Sequence, residues 1–418
     1  MADGRSILLV AQYSPPSFVV AARRVAGMTK YLARLGHRVT VLTSQFSGEG
    51  PIEGAEAVIR TPDLLASGLN WRQRRDRTAG GRAAVGRPPS RAESVLVPDI
   101  SVVSWLPFAL KATRELEADC VITTSPPQSA HLVGQRLSRR GIPWIAELRD
   151  GWRFDRPRRD WPLALQRRLD ARLERSVIEG ADAVIAVTKP IVEDLQRRFG
   201  RRVELITNGF DPDETGGNGG FLVDPERFSL VHTGSMGFTG GTSRHLVEAL
   251  RVLRMESPEV AERLEVVFAG LLSTDEAALL ERGDLAGIVR CVGSLDRGDV
   301  LRLQRSADAL LVVTEGAKRP SVATGKLFEY LAAGPPILVL GAETEAARIV
   351  RETGRGTTTS ADDPHVIAAA LRALVEDGQP TVGSRELVEP YAWTRLAEVY
   401  GAVVDEVCRR TGESAAAT

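Results

Sequence analysis

The sequence has little cysteine and little histidine. Three cysteines, Cys120, Cys291 and Cys408, are scattered through 418 residues, with no Cys-x-x-Cys and no Cys/His cluster. That argues against a disulfide framework and a zinc site of the usual spacing, and it suits a reducing compartment. The five histidines form no cluster either. Net charge is lacking too: 54 basic residues meet 54 acidic ones, for a formal charge of +0. No global field therefore draws the chain to nucleic acid, and any attraction to a polyanion has to be local. No apolar run reaches the roughly 18 residues of a membrane span. The run Ile7–Ala11 breaks at Gln12 and is too short for a signal-peptide core. HExxH and GxSxG are absent, and Gly325-Lys326 lacks the other residues of a Walker A loop. The expectation is a cytoplasmic protein.

What is present is a repeated strand–helix alternation. Short β-branched runs suit strands buried on both faces: Ser6–Val10, His37–Ser44, Asp119–Thr123, Pro143–Leu148, Ala183–Val187 and Val203–Ile206. Helical periodicity lies between them at Phe18–Leu35, Gln128–Arg139 and Leu163–Glu179. A second series begins afresh with strands at Ser229–Thr233, Leu264–Ala269, Val289–Val292, Ala309–Val313 and Pro336–Leu340. The helix Lys326–Ala333 precedes the last of these and stops at Gly334. Such crossovers imply parallel sheets, hence an α/β fold of two doubly wound, Rossmann-like domains. The expected division is 1–207, 208–388 and a C-terminal helical segment 389–418, with the Gly- and Asp-rich stretch 207–220 as linker. Residues 71–92 hold seven arginines and one aspartate, which reads as a mobile basic loop.

Several residues invite chemistry. Gly325 and Lys326 open a helix after a non-periodic stretch, where N–H groups, the helix dipole and an ammonium would favour a phosphate. A solvated lysine at an ordinary helix start is the plain alternative. Glu329 lies three residues on, on nearly the same helix face, where a salt bridge to Lys326 is the plain reading. Gly234 and Ser235 follow the first strand of the second series, and strand C-termini are where open α/β sheets bind ligands. The Pro-stiffened loop 11–17, ending at Ser17, follows the first strand of the chain. Arg149 and Asp150 end the strand at Leu148; they suit acceptor or donor contacts, or a purely structural ion pair. Asp211-Pro212-Asp213 matches a metal-binding DxD, but its place in the linker reads as a turn.

These marks in this order resemble the GT-B-fold retaining glycosyltransferases of family 4, in their bacterial cell-surface glycan or natural-product form. The likeness rests on YSPP (13–16), Arg23-Arg24, LARLGHRVTVLTS (32–44), PDISVVSW (98–105), TTSPPQSAHLVG (123–134), PWIAELRDGW (143–152), TNGFD (207–211), HTGSMG (232–237), GKLFEYLAAGPPILVL (325–340) and YAWTRLAEVY (391–400). It implies two domains facing a cleft, with the last helix crossing back onto the first. It implies transfer of a sugar from a nucleotide-diphosphate sugar to a hydroxyl acceptor, with retention and without a metal or other cofactor. Arg149, Asp150 and Lys326 would serve catalysis, and Ser17, Gly234, Ser235, Ser294, Leu295, Ser321, Gly325, Lys326, Leu327 and Glu329 would bind substrate. Within that set Glu329 would grip the ribose, and the backbone of Ser294 and Leu295 would read the base.

Departures are visible. Ser321 stands where the family's Glu-x7-Glu has its first glutamate, and Thr124-Ser125-Pro126 where a histidine is common. The first loop is not glycine-rich, and Arg244 is the one basic residue near a usual Arg/Lys pair. Two rival readings share this fold: a nucleotide-sugar epimerase, and a non-catalytic protein binding nucleotide or a partner. The segments 71–92 and 153–175 are rich in arginine, so a peripheral contact with an anionic inner membrane face is a further expectation, with 163–179 as an amphipathic helix.

Overall fold

The computed structural model describes residues 4–17, 20–64, 95–155, 161–214, 222–236, 242–270, 272, 274–280, 283–314, 318–378 and 383–416. The basic segment 71–92 and residues 156–160 of the second basic stretch lie outside them. Two compact units emerge. One runs to Asp211 and takes up the chain again at Tyr391; the other holds Pro212–Pro390.

The first unit contains β1 (Ser6–Val10), β2 (Arg38–Ser44), β3 (Ala55–Thr61), β4 (Cys120–Ser125), β5 (Trp144–Leu148), β6 (Ala183–Ala186) and β7 (Glu204–Leu205). They form one sheet in the order β3-β2-β1-β4-β5-β6-β7, parallel throughout. Its central strands β1, β4 and β5 are buried along nearly their whole length, as strands covered by helices on both sides are. Ile7 and Leu9 enter one core, with Val25, Met28, Trp393 and Tyr400 from the helices Val20–Arg34 and Trp393–Ala416. Leu8 and Val10 enter the other, with Trp105, Val133, Trp144 and Val177.

The C-terminal helix is part of this first unit. Its entry is fixed where Phe210 and Ala392 form a parallel bridge and Trp393 N–H donates to Phe210 O at 3.0 Å. Gly27 makes the close approach possible, since a Cβ there would fall 2.2 Å from the Trp393 ring. Arg24 and Glu147 pin the same region from inside. Both are buried, and Arg24 Nε and Nη2 each donate to a Glu147 oxygen at 2.9 Å. The same guanidinium donates to the carbonyls of Ile206 and Thr207 and to the Tyr400 hydroxyl, and lies 5.6 Å from the Trp393 ring centroid.

The second unit contains β8 (Phe228–Thr233), β9 (Leu264–Ala269), β10 (Val289–Gly293), β11 (Ala309–Val313), β12 (Ile337–Leu340) and β13 (Gly356–Thr359). Their order is β10-β9-β8-β11-β12-β13, again parallel throughout. The sequence pattern does not announce β3 and β13, and both are edge strands. β3 is only partly covered, and β13, Gly-Thr-Thr-Thr, contains no apolar residue. Among the described residues, no helix is long and apolar enough to cross a membrane.

Candidate functional site: the carboxyl edge of the second sheet

In both sheets the strand order reverses direction beside the first strand, between β1 and β4 and between β8 and β11. Open α/β sheets bind ligands outside the carboxyl ends of strands at such switch points. In the second unit β8 ends at Thr233 and runs into Gly234-Ser235, and the helix Gly325–Ala333 follows β11. Thr324 precedes that helix in extended conformation, and its first turn has the N–H groups and dipole that favour an anion.

The structure brings Gly234, Ser235, Gly325 and Lys326 together. Lys326 Nζ donates to Ser235 O at 3.0 Å and lies 2.9 Å from His232 Nε2. His232 is fully buried, and its Nδ1 meets Leu311 O at 2.9 Å. A carbonyl only accepts, so the ring proton sits on Nδ1 and Nε2 presents its lone pair to the ammonium. Burial first, and the neighbouring Lys326 charge second, push the His232 pKa well below its ordinary value and keep the ring neutral. Gly234 adopts φ +91°, and a Cβ there would lie 3.5 Å from Lys326 Nζ. The backbone thus passes close beneath the ammonium.

Glu329 lies on the same helix, buried, but it does not pair with Lys326. Its Oε2 accepts from Arg297 Nη1 at 2.9 Å and from Gln304 Nε2 at 3.3 Å. Arg297 also pairs with Glu214. Gln304 donates in addition to Thr233 Oγ1 at 2.9 Å, and Thr233 N–H donates to the Tyr330 hydroxyl at 2.7 Å. Burial pushes that phenol up to about 12, so it remains protonated. A chain of polar contacts therefore links the end of β8 to Glu329.

The other expected residues are spread more widely. Ser294 is exposed and Leu295 half-buried in the turn after β10, just before Asp296 caps the helix Arg297–Ser306. Ser321 is buried in the turn leading to the helix Gly325–Ala333. Leu327 has a fully buried side chain, and its N–H donates to Thr324 O at 3.0 Å. On the first unit, Ser17 is half-buried and its N–H closes a turn to Ser14 O. Arg149 donates through Nε to Ser125 O at 3.0 Å and through Nη2 to Pro126 O at 2.6 Å, holding the loop after β4. Asp150 is half-buried beside it. The DxD match resolves as a structural contact, with Asp211 accepting from Lys30 Nζ at 2.9 Å and from the Tyr31 hydroxyl at 2.6 Å.

Sequence reasoning missed His232, Arg297 and Gln304. His232 lies inside the quoted HTGSMG mark, and its position one residue before the strand's end was the available signal. Arg297 and Gln304 acquire their roles only when the helix Arg297–Ser306 packs beside Glu329, which no local pattern reveals. A second buried histidine occupies the place after β4. His131 Nδ1 lies 2.8 Å from Thr123 Oγ1, its ring stacks on Trp152, and its Nε2 is buried without a partner. Burial, aided by the Arg149 charge, lowers its pKa to about 3.

Comparison with known proteins bears on the fold and on the first unit. Residues 21–209 match the glycosyl transferase 4-like domain. A phosphatidyl-myo-inositol mannosyltransferase of Mycolicibacterium smegmatis is 32% identical over 155 residues, which is 36% of this chain and 37% of that protein. The match thus spans little more than a third of that relative's length. Among solved structures, a sucrose-phosphate synthase from Thermosynechococcus elongatus superposes with a TM-score of 0.67 at 17% identity, covering 96% of this chain and 99% of that one. An E. coli trehalose-6-phosphate protein bound with UDP-2-fluoro glucose gives a TM-score of 0.64 at 13% identity, covering 96% of this chain and 98% of that one. The fold is GT-B. Its residues 21–209 carry a domain of the glycosyl transferase 4-like kind, in keeping with the resemblance that the motifs showed.

Proposed function

We propose that this protein moves a sugar from a nucleotide-diphosphate sugar to a hydroxyl acceptor, with retention of anomeric configuration. One observation carries the reading: the Lys326 ammonium stands at the start of the helix Gly325–Ala333, held by buried His232 and the Ser235 carbonyl beside Gly234. A leaving diphosphate needs such fixed positive potential. The E. coli neighbour bound with UDP-2-fluoro glucose supports a nucleotide-sugar donor on this fold.

In this reading Glu329 accepts from the ribose hydroxyls, exchanging part of its contact with Arg297, and the backbone of Ser294 and Leu295 meets the base. Ser321 lies toward the transferred sugar, and Ser17, Arg149 and Asp150 serve the acceptor or sugar side. The acceptor oxygen bonds to the anomeric carbon as the bond from that carbon to the diphosphate oxygen breaks. The acceptor proton passes to the departing phosphate. No protein nucleophile or metal is required, and positioning and electrostatic stabilisation supply the rate. The reaction belongs in the cytoplasm, at the inner membrane face where the acceptor is lipid-linked. The M. smegmatis relative's name joins sugar transfer to phosphatidyl-myo-inositol, which favours that acceptor class among glycan, lipid-linked sugar and natural product.

Release of nucleotide from a matched donor tests the reading against its rivals. Acceptor-dependent accumulation of free nucleoside diphosphate is the expected result. Epimerisation of the sugar without accumulation would replace transfer by an epimerase. Tight binding with neither outcome would leave a non-catalytic binder.

A further inference from the structure

Four guanidiniums wall a single cavity on the first unit. The cavity has a volume of about 330 Å³ and is lined by Arg153, Arg172, Arg175 and Arg198, with Glu174 and Phe199 among its other walls. Its charges do not cancel. Arg198 engages both Glu174 and Asp194, and Arg175 engages Glu179. Arg153 and Arg172 make no ion pair or hydrogen bond among the described residues and are exposed. Two of the four are also fixed in place: the guanidinium carbons of Arg175 and Arg198 lie 5.6 and 4.8 Å from the Phe199 ring centroid.

The helix Ala164–Gly180, which supplies Arg172, Glu174, Arg175 and Ala171 to this wall, buries Val177 and Ile178 in the core but leaves leucines exposed at its start. Its inward face carries carboxylates, Asp170 accepting from Trp152 Nε1 at 3.0 Å and Glu174 from Arg198 at 2.7 and 2.8 Å. Its outward residues include Leu165 at 75% exposure and Leu169 at 44%. Leu165, Leu169 and Arg172 follow i, i+4, i+7 spacing and share one face.

We propose that this arginine-walled cavity binds a phosphate group. Planar guanidinium forks match phosphate oxygens two at a time, and a concave wall with more cations than carboxylates concentrates the field that attracts them. The leucines on the same helix face favour a phosphate carried at a lipid surface over a free anion. The inference rests on the first unit alone and on no part of the nucleotide reading.

The test uses the full chain, in a Lys326→Met background so that the donor site contributes nothing. Pyrophosphate binding is measured by calorimetry. Sedimentation is measured at low salt with vesicles of equimolar phosphatidylglycerol and phosphatidylcholine, and with phosphatidylcholine alone. The variant is Arg153→Ser with Arg172→Ser, and Arg38→Ser, at an exposed arginine of β2, is the control. Neither Arg153 nor Arg172 holds another element, so melting temperature should be unchanged. Pyrophosphate affinity should fall about tenfold for each guanidinium removed, with no change in the control. Pelleting with anionic vesicles alone, lost in the double variant, supports the site and assigns the phosphate to a lipid. Loss of pyrophosphate binding without any pelleting supports the site and assigns it to a free anion. A double variant that binds pyrophosphate and vesicles like its parent, or a parent that binds neither, overturns the proposal.

Discussion

At the scale of single residues, the account turns on His232 as the group that positions Lys326. Replacing it with phenylalanine keeps the volume and removes the acceptor. The affinity for nucleoside diphosphate should then fall about tenfold, as for loss of one charge-assisted contact, while the affinity for the bare nucleoside stays unchanged. In a double-mutant cycle with Lys326→Met the two losses should not add, because they report one contact. Equal losses for nucleoside and nucleoside diphosphate would assign His232 a packing role only. Lys326 itself was legible because glycine and lysine at a helix start have a chemical meaning. His232 was not, since a histidine near a strand's end is usually core, and its pairing depends on a residue 94 positions away.

The buried histidines also fix how stability responds to acid. His131 and His232 are neutral in the folded chain, with pKa values pushed below the ordinary 6.5, His131 to about 3. Below pH 6.5 the unfolded chain takes up protons that the folded chain refuses. Their contribution is therefore present above about pH 6.5 and is lost as pH falls below it, for His131 down to about 3. Each should remove about 1.4 kcal/mol per pH unit well below 6.5. Urea unfolding between pH 7.5 and 5 measures this, and His131→Gln should flatten the slope. An unchanged slope in that variant would mean that His131 is reached by solvent and titrates normally.

At the scale of elements, the central strands were readable because strands buried on both faces must be apolar throughout. β3 and β13 were not, because an edge strand is fixed by its one hydrogen-bonded neighbour more than by its own composition. The C-terminal helix was readable as a helix, but the reason for its seat is tertiary. Gly27, an unfavourable residue inside the helix Val20–Arg34, is there because Trp393 lies against it. Gly27→Ala should cost about 1–3 kcal/mol through overpacking, read as a lower urea midpoint. Arg24→Met should cost about 3–5 kcal/mol, because it leaves Glu147 buried without its cation. Adding Glu147→Met should recover most of that loss. If the double variant is no more stable than Arg24→Met, the pair matters through the Ile206, Thr207 and Tyr400 contacts and not through its charges.

At the scale of the whole molecule, the fold followed from the order and spacing of many weak marks, each of which alone would have meant little. The two parallel sheets, each with a strand-order reversal beside its first strand, supply the physical reason that so many marks lie in loops after strands. Base, sugar and acceptor were not legible, since backbone groups and the departures at Ser321 and Thr124 carry no label for them. The central claim is that Lys326 and Glu329 hold a nucleotide diphosphate. The direct measurement is thermal shift of the full chain with UDP, GDP, dTDP, CDP and ADP and their sugars, beside Lys326→Ala and Glu329→Ala. A ligand at a hundred times its dissociation constant stabilises by about 2.7 kcal/mol, well within reach of the method. The account predicts a shift selective for one base and lost in both variants. A folded chain that shifts with no nucleotide, or one whose shift survives in both variants, would contradict it.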